Sequence, residues 1–297
     1  MNHNHSHSHK NKQSEKGKNI LFAGLLNIFF VVIEIIAGIL TNSVAILSDA
    51  LHDFGDSVAL ISSYFAEKQA SKPKDKKRTF GYARISVFSA LFNAVILLSG
   101  SVYILIEACK RIFTPESVNG GGMMLVAILG VTINTFAYFR LKNGASINEK
   151  VLSWHLLEDV LGWSAVLVGG FIIYLTNWFF IDTFLTIGYT IFIIFGVGKN
   201  LKEVFNLLMQ GVPDHIDSEK IEATIKALAY VEDIHDVHIW SLDGEKTIFT
   251  AHVLLKEGNH KMAEIKEEIN DVLHHSKIEH STIEYETINE CGNNYCK

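Results

Sequence analysis

The chain has 297 residues, with 26 Lys and Arg against 32 Asp and Glu for a net charge of −6; 48% of residues are hydrophobic and only 20% charged. Mean hydropathy is +0.22, above what a soluble enzyme of this length usually carries, and the composition excludes disorder, collagen and a disulfide scaffold. Residues 201–297 hold 9 basic and 19 acidic side chains, whereas residues 1–200 hold 17 and 13. An acidic tail repels phosphate backbones, which argues against nucleic acid as a partner, and it attracts divalent cations.

Residues 1–18 are polar, with His3, His5, His7 and His9 alternating with Asn and Ser. They lack the charged, apolar and small-residue order of a signal peptide. Composition predicts a flexible His-rich tail. A metal-binding tail and a cloning remnant both fit, and the interrupted His pattern favours the first.

A bilayer core needs about 20 mainly apolar residues per helix. Six stretches qualify: Ile20–Leu40, Val44–Phe65, Ile85–Ala108, Gly121–Leu141, Val151–Leu175 and Asn177–Gly198. The second is the least apolar. Pro73, Pro115 and Pro213 all fall outside them, as expected of helices that must satisfy their own backbone in lipid. The prediction is a six-helix transmembrane domain over residues 19–200, in direct contact with membrane lipid. Lys68, Lys72, Lys74, Lys76, Lys77, Arg78 and Arg84 crowd the loop after the second span, and Arg140, Lys142 and Lys150 the loop after the fourth. The intervening loops hold few or none. Because basic loops stay in the cytosol, both termini are expected there, in a multi-pass cell-membrane protein.

Beyond Lys199 the pattern changes. Ile221, Ile225 and Leu228 recur at helical spacing, as do Met262, Ile265, Ile269, Val272 and Leu273. Val237–Trp240, Thr247–Leu255 and Thr282–Ile288 read as strands, the first two joined by a turn at Asp243–Lys246. The order α-β-β-α-β over 201–297 predicts a small α+β domain.

Charge inside an apolar span costs roughly 2.5–3.5 kcal/mol per group on insertion scales, so such residues are functional by default. Span two contains Asp49, His52, Asp53 and Asp56; span five contains His155, Glu158 and Asp159. His52 and Asp56 are four apart and share a helix face, and His155 and Asp159 repeat the arrangement. Facing each other, the pairs offer two imidazole nitrogens and two carboxylates, a tetrahedral set suited to Zn2+. Asp49, one turn before His52, is expected to orient it or to form a polar step in the ion's path. Asp53 and Glu158 point about 100° away from the neighbouring ligands and read as cavity-wall or helix-packing groups. Asn27, Glu34, Asn93, Asn134 and Asp182 read the same way.

Several motifs resemble one family: "SVAILSDALHDFGD" at Ser43–Asp56, "FGYAR" at Phe80–Arg84, "WHLLEDVLGW" at Trp154–Trp163, "HDVHIWSL" at His235–Leu242 and "AHVLL" at Ala251–Leu255. The chain resembles a cation diffusion facilitator of the zinc-transporter (cobalt-zinc-cadmium resistance) branch over nearly its whole length. The resemblance implies six transmembrane helices followed by a cytosolic ferredoxin-like, metallochaperone-like domain. It also implies a homodimer that exports divalent metal in exchange for protons, and transport ligands at His52, Asp56, His155 and Asp159. A His at the first of these positions resembles the zinc-preferring members and leaves Co2+ and Cd2+ open. His235 and His252 match positions of regulatory zinc; His280 and Glu286 are plausible additions. Cys291 and Cys296 either join a thiolate site with the tail histidines or are ordinary thiols. The loop Lys68–Arg84 has no His and only Asp75, so no metal site is expected there.

A membrane-anchored divalent-metal sensor is the alternative reading, but it needs no intramembrane ligands. An enzyme is not expected: the chain has no Walker A loop, nucleotide fingerprint or His-Glu-x-x-His helix. No organic cofactor is implied.

Overall fold

The computed structural model describes residues 27–142, 147–258 and 261–287. The expected tail histidines, Cys291, Cys296 and the start of the first span lie outside them. So do a few side chains around the start of the fifth helix, that of His155 included. The chain divides into two compact units: described residues up to Phe65 with 89–200, and 66–88 with the residues from Leu201 on.

The first unit is helical. Its elements are α1 (Asn27–Thr41), α2 (Val44–Ala70), α3 (Ile85–Phe113), α4 (Gly120–Leu141), α5 (Ile147–Thr176) and α6 (Phe180–Leu208), several of which run on past the unit. Among the described residues, four stretches are long and apolar enough to cross a bilayer: Ile85–Phe113, Gly120–Phe139, Leu156–Thr176 and Phe180–Leu208. The described part of α1 is apolar but shorter. In α2 the acidic residues lower the hydropathy of an otherwise continuous helix.

This unit turns apolar side chains outward and polar ones inward, as a lipid solvent requires. Phe195 is 76% exposed, while Asp49 is 5% and Asp182 0% exposed. Without a hydrophobic drive between helices, packing depends on small residues that let backbones approach. A Cβ on Gly120 would lie 2.7 Å from the Tyr174 backbone nitrogen, and one on Gly130 would enter the buried Trp163 ring. These two glycines let α4 close on α5 around Met123, Ala127, Trp163 and Ile173. After α1 and α5 the chain turns at Asn42 and Asn177, both with φ near +55°, a left-handed conformation that Asn tolerates at helix ends.

The second unit holds α7 (Ser218–Lys226), β1 (Val231–Ser241), β2 (Thr247–Leu255), α8 (Met262–His275) and β3 (His280–Thr287). The sheet order is β1-β2-β3, with β1 antiparallel and β3 parallel to β2. Phe249, Ala251, Val253 and Leu255 alternate toward a core shared with Ile221 and Ile225 of α7 and Ile265, Ile269 and Leu273 of α8. His252 and its alternates therefore point to the opposite face. The Asp243 carboxylate accepts from the backbone of Glu245 and Lys246 to close the β1–β2 turn.

The basic loop after α2 is folded rather than slack. Asp75 Oδ1 accepts from the backbone of Lys77 and Arg78, both at 2.7 Å, and Oδ2 from the Tyr82 hydroxyl at 2.6 Å. The Tyr82 hydroxyl, then those backbone groups, hold the Asp75 carboxyl below its usual range. Phe80 meets the His280 ring edge-on, with centroids 5.7 Å apart.

Candidate metal centre

The candidate transport ligands expected on the second helix lie on α2. His52 Nε2 and Asp56 Oδ2 stand 3.8 Å apart, one turn from each other on one face. Both are largely buried (24% and 30% exposed). On α5, Asp159 is half-buried while its neighbour Glu158 is exposed, so Asp159 is the acidic side chain of that pair that turns inward. Glu34 of α1, Asp49, Asp53 and Asp56 of α2 and Asp159 lie close enough to act electrostatically on Asp53 or on one another. Glu34 and Asp53 share a side-chain hydrogen bond, which gives Asp53 the helix-packing role expected of it. Thus Glu34 of α1, Asp49 and Asp56 of α2 and Asp159 of α5 lie around Asp53, with His52 beside Asp56; the ligand atoms of His52, Asp56 and Asp159 do not all come within 4.8 Å of one another.

The start of α2 is held from α6. Asp182 is fully buried. It accepts from Ser43 Oγ at 2.5 Å and from the Val44 and Ala45 backbone at 2.9 and 3.3 Å. It therefore satisfies amides that the first turn of a helix leaves without partners. Ser48 and Thr190 hydroxyls bond at 3.0 Å farther along the same seam.

A second cluster forms on the polar face of the small sheet. Register sets His235 of β1 directly opposite His252 of β2, and their ring centroids are 5.4 Å apart. Glu286 of β3 reaches both: Oε1 is 2.6 Å from His252 Nδ1 and Oε2 is 3.5 Å from His235 Nε2. One ligand atom from each of the three lies within 4.8 Å of the other two. Tetrahedral zinc with bonds of about 2.0–2.2 Å wants ligands roughly 3.3 Å apart, so side-chain shifts of about an ångström close the site. His235 Nε2 is buried without a hydrogen bond among the described residues, as a nitrogen reserved for a metal would be. Asp236 Oδ2 and Glu284 Oε2 lie 3.7 and 3.6 Å from His252 Nε2, the ring nitrogen that faces away from Glu286. Asp236 occupies a β-bulge with φ +51°, and its other oxygen is 3.0 Å from His238.

His280 stands apart, at the opposite end of β3 from Glu286 and against Phe80. Cys291 and Cys296 lie outside the described residues.

Two family models cover the chain. The cation efflux transmembrane domain matches residues 20–209, and the cation efflux protein cytoplasmic domain matches residues 213–288. The chain belongs to the cation efflux family. Cation efflux proteins are multi-pass membrane transporters and not enzymes. Among similar proteins, the metal cation efflux system protein CzcD of Cupriavidus metallidurans is 35% identical over 246 residues, 82% of this chain and 78% of the relative. The zinc transporter ZitB of Yersinia pestis is 33% identical over 283 residues, 94% and 90% of the two chains. A cadmium, cobalt and zinc/H(+)-K(+) antiporter of Bacillus subtilis is 30% identical over 264 residues, 87% and 85%. These relatives carry the zinc, cobalt and cadmium branch named by the sequence motifs.

Two residues of this cation efflux protein have roles that the sequence pattern does not reveal. Tyr189 of α6 bonds to Asp49 through its hydroxyl and packs its ring edge-on against His52, centroids 5.9 Å apart. Asp182, expected to pack between helices, also caps α2. The available signal for both is a polar group on α6 seven residues from the other, hence on one helix face.

Proposed function

We propose that this protein exports Zn2+ from the cytosol in exchange for protons, through a site formed by His52, Asp56, His155 and Asp159. Divalent metal efflux is the activity named for its relatives CzcD and ZitB. What supports the finer reading is that Asp56 and Asp159 both lie near enough to Asp53 to act on its charge, with His52 3.8 Å from Asp56, in helices otherwise apolar. Imidazole and carboxylate bind metal only when deprotonated, so protons and Zn2+ compete for the same atoms. Zn2+ enters the deprotonated site from the cytosol, the helices re-orient, and protonation on the far side weakens its hold. Co2+ and Cd2+ fit the same nitrogen and oxygen donors.

On this reading the protein has six spans with both termini cytosolic, a transport domain over 19–200 and a ferredoxin-like domain over 201–297. The match to the family's cytoplasmic domain, which is named for dimerisation, supports a homodimer. Zinc held by His235, His252 and Glu286 would supply a fixed divalent charge bridging three strands, which suits a regulatory ligand. That cluster also favours a second reading, a membrane-anchored metal sensor. The sensor leaves the buried acidic cluster without a purpose.

Everted membrane vesicles test the claim. They accumulate Zn2+ when an inward-acid gradient is imposed, and uptake falls when the gradient is collapsed; unchanged uptake removes the antiport. Asp159→Ala abolishes zinc flux while the protein still inserts in the membrane; retained flux removes the proposed ligand set.

A further inference from the structure

The seam between α2 and α6 reaches the proposed transport site at one point. Asp182 and Tyr189 are seven residues apart, two turns of α6, and so face α2 together. Asp182 fixes where α2 begins. Two turns on, Tyr189 meets Asp49 and His52, which are three apart and share a face of α2. The Tyr189 hydroxyl donates to the Asp49 carboxyl. The ring planes of Tyr189 and His52 are inclined at 87°, the edge-to-face arrangement that aromatic rings prefer.

Both Asp49 and Tyr189 border a cleft of about 380 Å³ between α2, α5 and α6, lined otherwise by small and apolar residues such as Ala45, Gly162, Ala165 and Gly188. Asp49 and the Tyr189 hydroxyl are the polar groups on its wall. A metal-binding imidazole needs its ring plane held so that one nitrogen faces the ion, and partners that do this are worth about 10–100-fold in affinity.

We propose that Tyr189 is a positioning residue of the transport site, which holds the Asp49 carboxylate through its hydroxyl and the His52 ring through its own. This rests on the reading of His52 as a transport ligand. Tyr189 touches no ion; it acts through Asp49 and His52. Its hydroxyl and its ring do separable work. Tyr189→Phe keeps the ring and releases Asp49, and Tyr189→Ala releases both.

The test uses the full chain in proteoliposomes, with initial Zn2+ rates measured against concentration. Tyr189→Phe is expected to raise KM for Zn2+ about 10-fold or more while kcat stays within about twofold, the signature of lost binding without lost turnover. Tyr189→Ala raises it further. Thr190→Val removes only the Ser48 hydroxyl bond on the same seam and is expected to leave KM unchanged. Direct binding gives a second readout. With His252→Ala and Glu286→Gln silencing the tail cluster, the visible spectrum of Co2+ bound by the purified chain changes in Tyr189→Phe and not in Thr190→Val. Wild-type KM and spectrum in Tyr189→Phe overturn the positioning role, as does an equal shift in Thr190→Val, which would mean general loosening of the seam. If the wild type moves zinc and Asp159→Ala does not, such a result sinks Tyr189 alone. A wild type without zinc flux sinks the transport reading and this inference with it.

Discussion

Replacing Asp182 with alanine asks what one buried carboxylate does for the helix that carries His52 and Asp56. The carboxylate is fully buried and accepts two close bonds, from Ser43 Oγ at 2.5 Å and the Val44 backbone at 2.9 Å, and a longer one from Ala45 at 3.3 Å. Ser43 and Val44 are themselves 0% and 1% exposed, so bulk water does not reach the donors when the acceptor is gone. Each hydrogen bond to a charged group contributes about 1.5–3 kcal/mol, and loss of one partner strands the other. Counting the two close bonds and discounting the third gives a loss of about 3–5 kcal/mol. Asp182→Asn keeps the shape but presents one acceptor oxygen where two are used, so about half of that loss is expected. At about 2–4 °C per kcal/mol for a chain of this order of size, Asp182→Ala lowers Tm by about 6–20 °C and Asp182→Asn by an intermediate amount. Thermal unfolding in detergent, followed by size-exclusion of the surviving fraction, measures both. A Tm for Asp182→Ala within about 2 °C of wild type, less than one such bond is worth, refutes the capping argument. So does an Asn variant as damaged as the Ala variant.

Removing one imidazole from the tail cluster, His252→Ala, lowers the zinc bound per purified chain by one equivalent, whereas Thr250→Ala on the same strand face leaves it unchanged; equal stoichiometry in all three proteins argues against the cluster as a metal site. Lys226 and Asp233 bond at 2.7 Å with both side chains about half exposed, and the lysine, ahead of the Ile234 backbone, holds the Asp233 carboxyl below its usual range. A depressed folded-state value means that the stabilisation is present above the ordinary carboxylate range and lost as pH falls through that lower value. The small Tm deficit of Asp233→Asn at neutral pH therefore shrinks as pH drops below about 4; a deficit independent of pH assigns it to something else.

Local features are the legible ones. The His52 and Asp56 pair needs only helical spacing, and alternation predicts β2 at Thr247–Leu255, where it is found. The α-β-β-α-β order also holds across the tail unit. The first strand reads as Val237–Trp240 and runs Val231–Ser241, because the bulge at Asp236 interrupts the alternation on which such a reading depends. The last strand is expected from Thr282 and begins at His280. The basic loop after α2 reads only as charge. Its folding around Asp75 depends on a Tyr82 hydroxyl seven residues on. Contacts such as Asp182 with Ser43 span 139 residues, and no periodicity reports them. The same holds for Tyr189 and Asp49. Helix ends are missed where helices outrun the apolar stretch: α6 continues to Leu208, past Lys199, because polar residues propagate a helix beyond lipid as readily as apolar ones begin it.

The two clusters differ in how their charge is balanced, and that difference assigns them different work. Between Asn27 and Ala66, and between Val151 and Gly198, the sequence has no Lys or Arg. Glu34, Asp49, Asp53, Asp56 and Asp159 thus sit in segments that supply no fixed cation. Two like charges about 6 Å apart repel by roughly 3 kcal/mol even at an effective dielectric of 20. On the proposed reading, that acidic cluster is balanced by a bound divalent ion or by protons, which compete for the same oxygens. Exchange of one for the other would then follow from the composition of these helices rather than from any added device. The tail cluster is balanced differently. His235, His252 and Glu286 lie on a partly hydrated sheet face and include one carboxylate against two imidazoles, so metal can come and go there without a counter-ion. On the proposed reading, the first cluster would carry the ion and the second would report how much of it is present.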